Sequence, residues 1–78
     1  MKFNLETKTA KDEIYRADLG QGISAVVKMH FHTHYRIWDV IYTIRYPPNY
    51  QSSHLFGMEI PTRKEARKIA QHLEPQIL

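Results

Sequence analysis

The chain has no cysteine among its 78 residues. Disulfides, thiolate metal sites and a cysteine nucleophile are therefore excluded, and a domain this small must hold itself by packing or by a partner. Such a composition fits a reducing setting. Long apolar runs are missing as well. Nothing approaches the ~20 apolar residues that span a bilayer, and the first eight residues, Met1 to Lys8, lack the apolar core of a signal peptide. The expectation is a cytoplasmic protein with no membrane partner. Glycine is scarce, three in all, and no Gly-rich phosphate loop can be built from them. There is no internal repeat, low-complexity run or linker, so residues 1 to 78 read as one small domain.

What is present alternates. Glu13 to Leu19 and Ile23 to Phe31 flank Gly20-Gln21-Gly22, which supplies the positive φ angles of a tight hairpin turn. In the second of these strands Ile23, Ala25, Val27, Met29 and Phe31 alternate with Ser24, Val26, Lys28, His30 and His32, giving one apolar face and one mostly polar face. Ile37 to Tyr46 forms the next strand, with Trp38, Val40, Tyr42, Ile44 and Tyr46 on the core side. Its other face, Ile37, Asp39, Ile41, Thr43 and Arg45, stays partly apolar. Pro47 to Ser53 reads as a loop because paired prolines cannot continue a ladder. His54 to Ile60 then makes a fourth strand with Phe56, Met58 and Ile60 inward. Residues 2 to 11 are ambiguous: Phe3 and Leu5 alternate like an edge strand, and Thr9 to Asp12 can turn.

After Pro61, the run Thr62-Arg63-Lys64-Glu65 is a capping box. Thr62 accepts from the Glu65 amide and the Glu65 carboxylate reaches back to the Thr62 amide. The helix it opens, Arg63 to about Leu73, carries Ala66, Ile69, Ala70 and Leu73 in a single apolar stripe, and Pro75 limits it. The expected fold is α+β: an antiparallel meander of about four strands, one face covered by a carboxy-terminal helix and the other open.

His30-Phe31-His32-Thr33-His34 is the first chemical candidate. On a strand the three imidazoles share a face at steps of roughly 6.7 Å, so neighbours can share a metal but His30 and His34 cannot. A site would need an outside ligand such as Asp39 or His54, and the expectation is no metal and no cofactor. Paired histidines beside Lys28 and Arg45 also match the acid and base of a phosphodiester-cleaving, ribonuclease-like toxin, given a pocket. No pocket is legible in the sequence, and Ser52-Ser53-His54 is a set of neighbours without triad geometry. The expectation is a protein that is not an enzyme.

Arg63, Lys64, Arg67 and Lys68 crowd the first half of the helix, where the macrodipole disfavours cations. A cluster that breaks a local preference without visible gain points to a surface for phosphates or an acidic protein. Tyr35 and Tyr50 lie in loops and, beside Arg36, form a stacking or docking patch. Ile37 and Ile41, apolar on the open face, point to a second buried surface there, including a homodimer.

The strand followed by Pro61-Thr62-Arg63-Lys64-Glu65-Ala66 and Ile69-Ala70 resembles the end of the amino-terminal arm-binding domains of phage and transposon integrases. In those domains a three-stranded sheet lies in the DNA major groove ahead of a capped helix. The match covers about the last third of the chain. In size and style the chain also resembles stand-alone phage proteins, including anti-CRISPR inhibitors. These resemblances imply a small binding protein of phage or mobile-element origin. It is expected to engage nucleic acid, or a nucleic-acid-bound complex, through Lys28, His30, His32, Arg36 and Arg45 on the sheet, or through Arg63, Lys64, Arg67 and Lys68. The alternative is an inhibitor of a bacterial defence complex, with Tyr35, Ile37, Trp38 and Ile41 as contacts.

Overall fold

The computed structural model describes residues 2–77. Five antiparallel strands lie side by side in chain order: β1 (Asn4–Lys8), β2 (Asp12–Gly20), β3 (Ile23–His32), β4 (Ile37–Tyr46) and β5 (Tyr50–Ile60), followed by helix α1 (Arg63–Gln71). The α+β meander is as expected; the strand count is five instead of about four. The ambiguous amino-terminal segment is the fifth strand. It forms by pairing with β2, Asn4 opposite Arg16 and Lys8 opposite Glu13, although Leu5 is 53 % exposed, and Thr9 Oγ1 turns the chain into β2 by accepting from the Lys11 and Asp12 amides at 3.3 and 3.0 Å. No helix among the described residues is long and apolar enough to cross a membrane.

The turns follow from local chemistry. Gly20, Gln21 and Gly22 have φ of +90°, +56° and +78°, the left-handed region in which glycine costs least. Between β3 and β4 the chain reverses through Thr33 to Arg36, closed by the Arg36 amide on the His32 carbonyl at 2.7 Å. The expected loop from Pro47 to Ser53 is shorter than the prolines implied. Only residues 47 to 49 turn, and Tyr50, Gln51, Ser52 and Ser53 register against Tyr46, Arg45, Ile44 and Thr43. These residues carry free backbone donors, and Ser53 Oγ meets Thr43 Oγ1 at 2.9 Å, so nothing stops the ladder once the prolines are past.

One face of the sheet carries the core. Ala25, Val27, Met29, Trp38, Val40, Tyr42, Ile44 and Ile60 are buried against Ala66 and Ala70 of the helix. The alanines let the helix backbone approach the sheet closely, and Ile69 and Leu73 of the same stripe pack at the margin. Half of the capping box is formed: Thr62 Oγ1 accepts from the Glu65 amide at 3.2 Å.

In β5 the expected inward set is only partly buried, with Phe56 meeting the core at its rim, its ring 5.8 Å from that of Tyr42. Ile60 is buried, but Phe56 is 40 % and Met58 is 60 % exposed. The register shifts twice, between Trp38 and Val40 and between Val40 and Ile41 of the partner strand, and each bulge inserts residues that leave the period-two alternation. Gly57 takes the inward place opposite Val40, where a Cβ would stand 2.8 Å from Ile60 Cδ1 and 3.1 Å from Ile69 Cδ1. The bulged strand can close onto the helix only because this position has no side chain. Gly57→Ala is expected to cost about 1–3 kcal/mol by overpacking, read in a urea melt; an unchanged midpoint would show that the two isoleucines yield freely.

Candidate nucleic-acid interface

The basic helix residues divide into two kinds. Arg67 reaches through its Nη2 to Glu13 Oε2 at 2.6 Å and through Nε to Oε1 at 3.2 Å, while Arg63 Nη1 donates to Glu13 Oε2 at 3.2 Å. Glu13 is 1 % exposed on the core side of β2. Its carboxylate also accepts from Tyr15 Oη at 2.6 Å. Burial on its own pushes the Glu13 carboxyl up, but the hydrogen bonds from Arg67 and Tyr15 and the two guanidinium charges outweigh it, and the net direction is below 4.5. The same burial, with Glu13 beside it, pushes the Tyr15 phenol up. Arg63 further donates to the Thr9 and Ala10 carbonyls at 3.0 and 2.7 Å and lies 4.7 Å from the Trp38 ring centroid.

The cations that local helix physics disfavours are therefore compensated by one buried acid. That corrects the reading of Arg63 and Arg67 as a free phosphate surface; Lys64 and Lys68 alone are exposed on that flank. Trp38 is corrected too. It is 5 % exposed, sealed beneath Arg63 and Phe31, and cannot be a docking residue.

Among the described residues the other face of the sheet has no covering layer. The strand registers arrange it in rows: Asp12, His30 and Asp39; Ile14, Lys28, Ile41 and Leu55; Arg16, Val26, Thr43 and Ser53; Asp18, Ser24, Arg45 and Gln51. Arg16 is bound to Glu6 at 3.0 Å. Lys28 and Arg45 have no ion pair among the described residues, and Ile37 and Ile41 are half-buried here as expected of the open face.

At the end of this face nearest the β3–β4 turn, His30 Nδ1 lies 2.7 Å from Asp12 Oδ1 and His32 Nε2 lies 2.5 Å from Asp39 Oδ2. The two rings meet edge to face with centroids 4.8 Å apart. Asp12 and Asp39 stand on the strands either side of β3, so each imidazole is oriented by a different neighbour. His34 leaves the row: β3 ends at His32, and His34 packs instead against Tyr35 at 4.9 Å in the turn. Among the described residues no three His, Asp or Glu side chains converge to hold a metal.

His30, His32, Lys11, His34 and Tyr35 border one shallow open cleft. Tyr35 is 72 % exposed, and Arg36 beside it holds a left-handed φ of +55°. Of the expected sheet residues, only His30 and His32 line this cleft; Lys28 lies one step further along β3 opposite Ile41, Arg36 lies in the β3–β4 turn, and Arg45 stands at the far end opposite Ser24. Sequence reasoning alone does not point to Asp12, Lys11 or Glu13. The signal for Asp12 is present in principle, since closing β2 on β3 through the Gly20–Gly22 turn sets Asp12 opposite His30. Glu13 carries no such signal, because its charged partners Arg63 and Arg67 lie 50 and 54 residues away.

Compared with known proteins, the chain matches no family model, no curated protein and no solved structure.

Proposed function

We propose that the chain is a nucleic-acid-binding domain that takes a single-stranded segment across the histidine end of its open sheet face. The observation that carries this reading is the cleft bordered by Lys11, His30, His32, His34 and exposed Tyr35, with Lys28 the next residue along the same face of β3 and Arg36 following Tyr35 in the turn. Phosphate charge would be met by the lysines and the arginine, and a base would stack on Tyr35, the combination by which single strands are held without a continuous basic stripe. Duplex binding is less favoured because Arg63 and Arg67 serve Glu13 and Arg16 serves Glu6, which leaves few free cations for a long phosphate track.

The test is a titration of labelled single-stranded DNA, 2′-O-methyl RNA and duplex DNA at low and moderate salt. Single strands are expected to bind more tightly than duplex and to weaken by roughly 0.7 log unit per neutralised phosphate per log unit of salt. Tyr35→Ala is expected to weaken binding by about 1–3 kcal/mol, and Lys64→Ala/Lys68→Ala to leave it unchanged. Loss in the lysine variant alone would move the surface to the helix, and no binding at micromolar protein would overturn the reading. A second reading has its own observation: Ile14, Ile41 and Leu55 lie in one uncovered row, which fits a protein partner, as an inhibitor of a defence complex or a second copy would require.

A further inference from the structure

The two histidine bonds determine which ring nitrogens remain free. A carboxylate accepts hydrogen bonds without donating, so Asp12 takes the N–H of His30 Nδ1 and Asp39 takes that of His32 Nε2. His30 Nε2 and His32 Nδ1 are left for chemistry. A neutral imidazole held in this way offers a lone pair at its free nitrogen, and a protonated one offers N–H there. Two such rings 4.8 Å apart border one cleft with Lys11, and Lys28 is the next residue on the same face of β3. This end of the sheet thus brings together a proton acceptor, a proton donor and positive charge for phosphoryl oxygens.

We propose that His30 and His32 cleave single-stranded RNA by transesterification, an inference that rests on the single-strand reading above. One imidazole, neutral, takes the proton of a ribose 2′-hydroxyl as that oxygen bonds to phosphorus. The other, protonated, gives its proton to the 5′-oxygen as the P–O5′ bond breaks. The products are a 2′,3′-cyclic phosphate and a 5′-hydroxyl; nothing is oxidised or reduced, and the two rings end with their protons exchanged and reset through water. Lys28 neutralises charge on the non-bridging oxygens. Asp12 and Asp39 are positioning residues that fix the tautomers. DNA, lacking the 2′-hydroxyl, is bound and left intact.

The experiment incubates an end-labelled single-stranded RNA with the full chain in EDTA, beside His30→Ala, His32→Ala and Asp12→Ala, all checked by thermal melts for retained folding. Wild type is expected to yield fragments ending in cyclic phosphate, and each histidine variant to lose roughly 10²–10⁴-fold in rate. Asp12→Ala is expected to lower kcat at unchanged KM, with part recovered in Asp12→Glu. If 2′-O-methyl RNA is bound while RNA stays intact, the cleavage proposal is overturned and the binding reading stands. If neither is bound nor cut, both are overturned. Cleavage that survives in both histidine variants, or that requires a divalent metal, also overturns the assignment.

Discussion

Arg63→Ala/Arg67→Ala is expected to unfold much of the domain. Glu13 is 1 % exposed and draws both of its charged partners from the helix. Removing them leaves a buried carboxylate with Tyr15 alone, and breaking a buried ion pair on one side costs roughly 3–5 kcal/mol. A domain of this size has of the order of 4–12 kcal/mol in total, and its melting temperature moves by about 4–8 °C per kcal/mol. A fall of more than about 10 °C should appear in a circular dichroism melt. Lys64→Ala/Lys68→Ala, on the same helix but exposed, should stay within about 0.5 kcal/mol of wild type. The contrast matters for function, because any nucleic-acid binding lost in a variant lacking all four cations would report unfolding before it reported a lost surface. Equal melts for the two double variants would make Arg63 and Arg67 free surface charges after all.

The same group predicts a pH dependence. The Glu13 carboxyl is held below 4.5 in the folded chain, so its contribution to stability is complete above the ordinary carboxylate range and is lost as pH falls through the folded value. Acid should therefore lower the wild-type melting temperature below about pH 4.5, and Glu13→Gln should flatten that part of the curve, since an amide does not titrate.

The contrast between Arg63 and His30 shows what a sequence can carry. The hairpin at Gly20–Gly22, the alternation of β3 and β4 and the Thr62 cap are each written within about ten residues, and they are found where that local chemistry puts them. The shared face of His30 and His32 is legible for the same reason, though His34 falls beyond the end of the strand and leaves the expected row of three. The surroundings of that face are not legible, because the two carboxylates that orient the rings come from strands on either side. Met58 misleads because bulges interrupt the period that inward-facing residues obey, and Phe56, though its ring meets Tyr42, stays 40 % exposed beside the same bulges. Arg63 and Arg67 mislead for a deeper reason: a cation on a helix looks unpaired until β2 is folded against it. Trp38 reads from the sequence both as core and as part of a docking patch; the alternation that puts it inward is the sounder signal, since it is a property of the strand.

Tyr42→Ala is expected to be about as destructive as the arginine variant, by a different route. Tyr42 is 1 % exposed at the centre of β4, with Phe3 and Phe56 packed edge-on at 5.9 and 5.8 Å. Its hydroxyl donates to the Gln76 carbonyl at 2.7 Å and accepts from the Gln76 amide at 2.8 Å, so one side chain ties the segment after the helix onto the sheet. Truncation removes a core aromatic, at about 3–5 kcal/mol, together with both hydrogen bonds. Tyr42→Phe separates the two contributions: the ring stays, and only the hydroxyl is lost, at about 0.5–1.5 kcal/mol for each bond. In Tyr42→Phe the Gln76 amide should exchange its hydrogen much faster while the amides of β3 and β4 keep their protection, because the tail is released and the core is not. If Tyr42→Phe melts as low as Tyr42→Ala, the tail bonds rather than the packed ring hold this end of the molecule, and the carboxy-terminal segment is part of the folding unit instead of a strap laid over it.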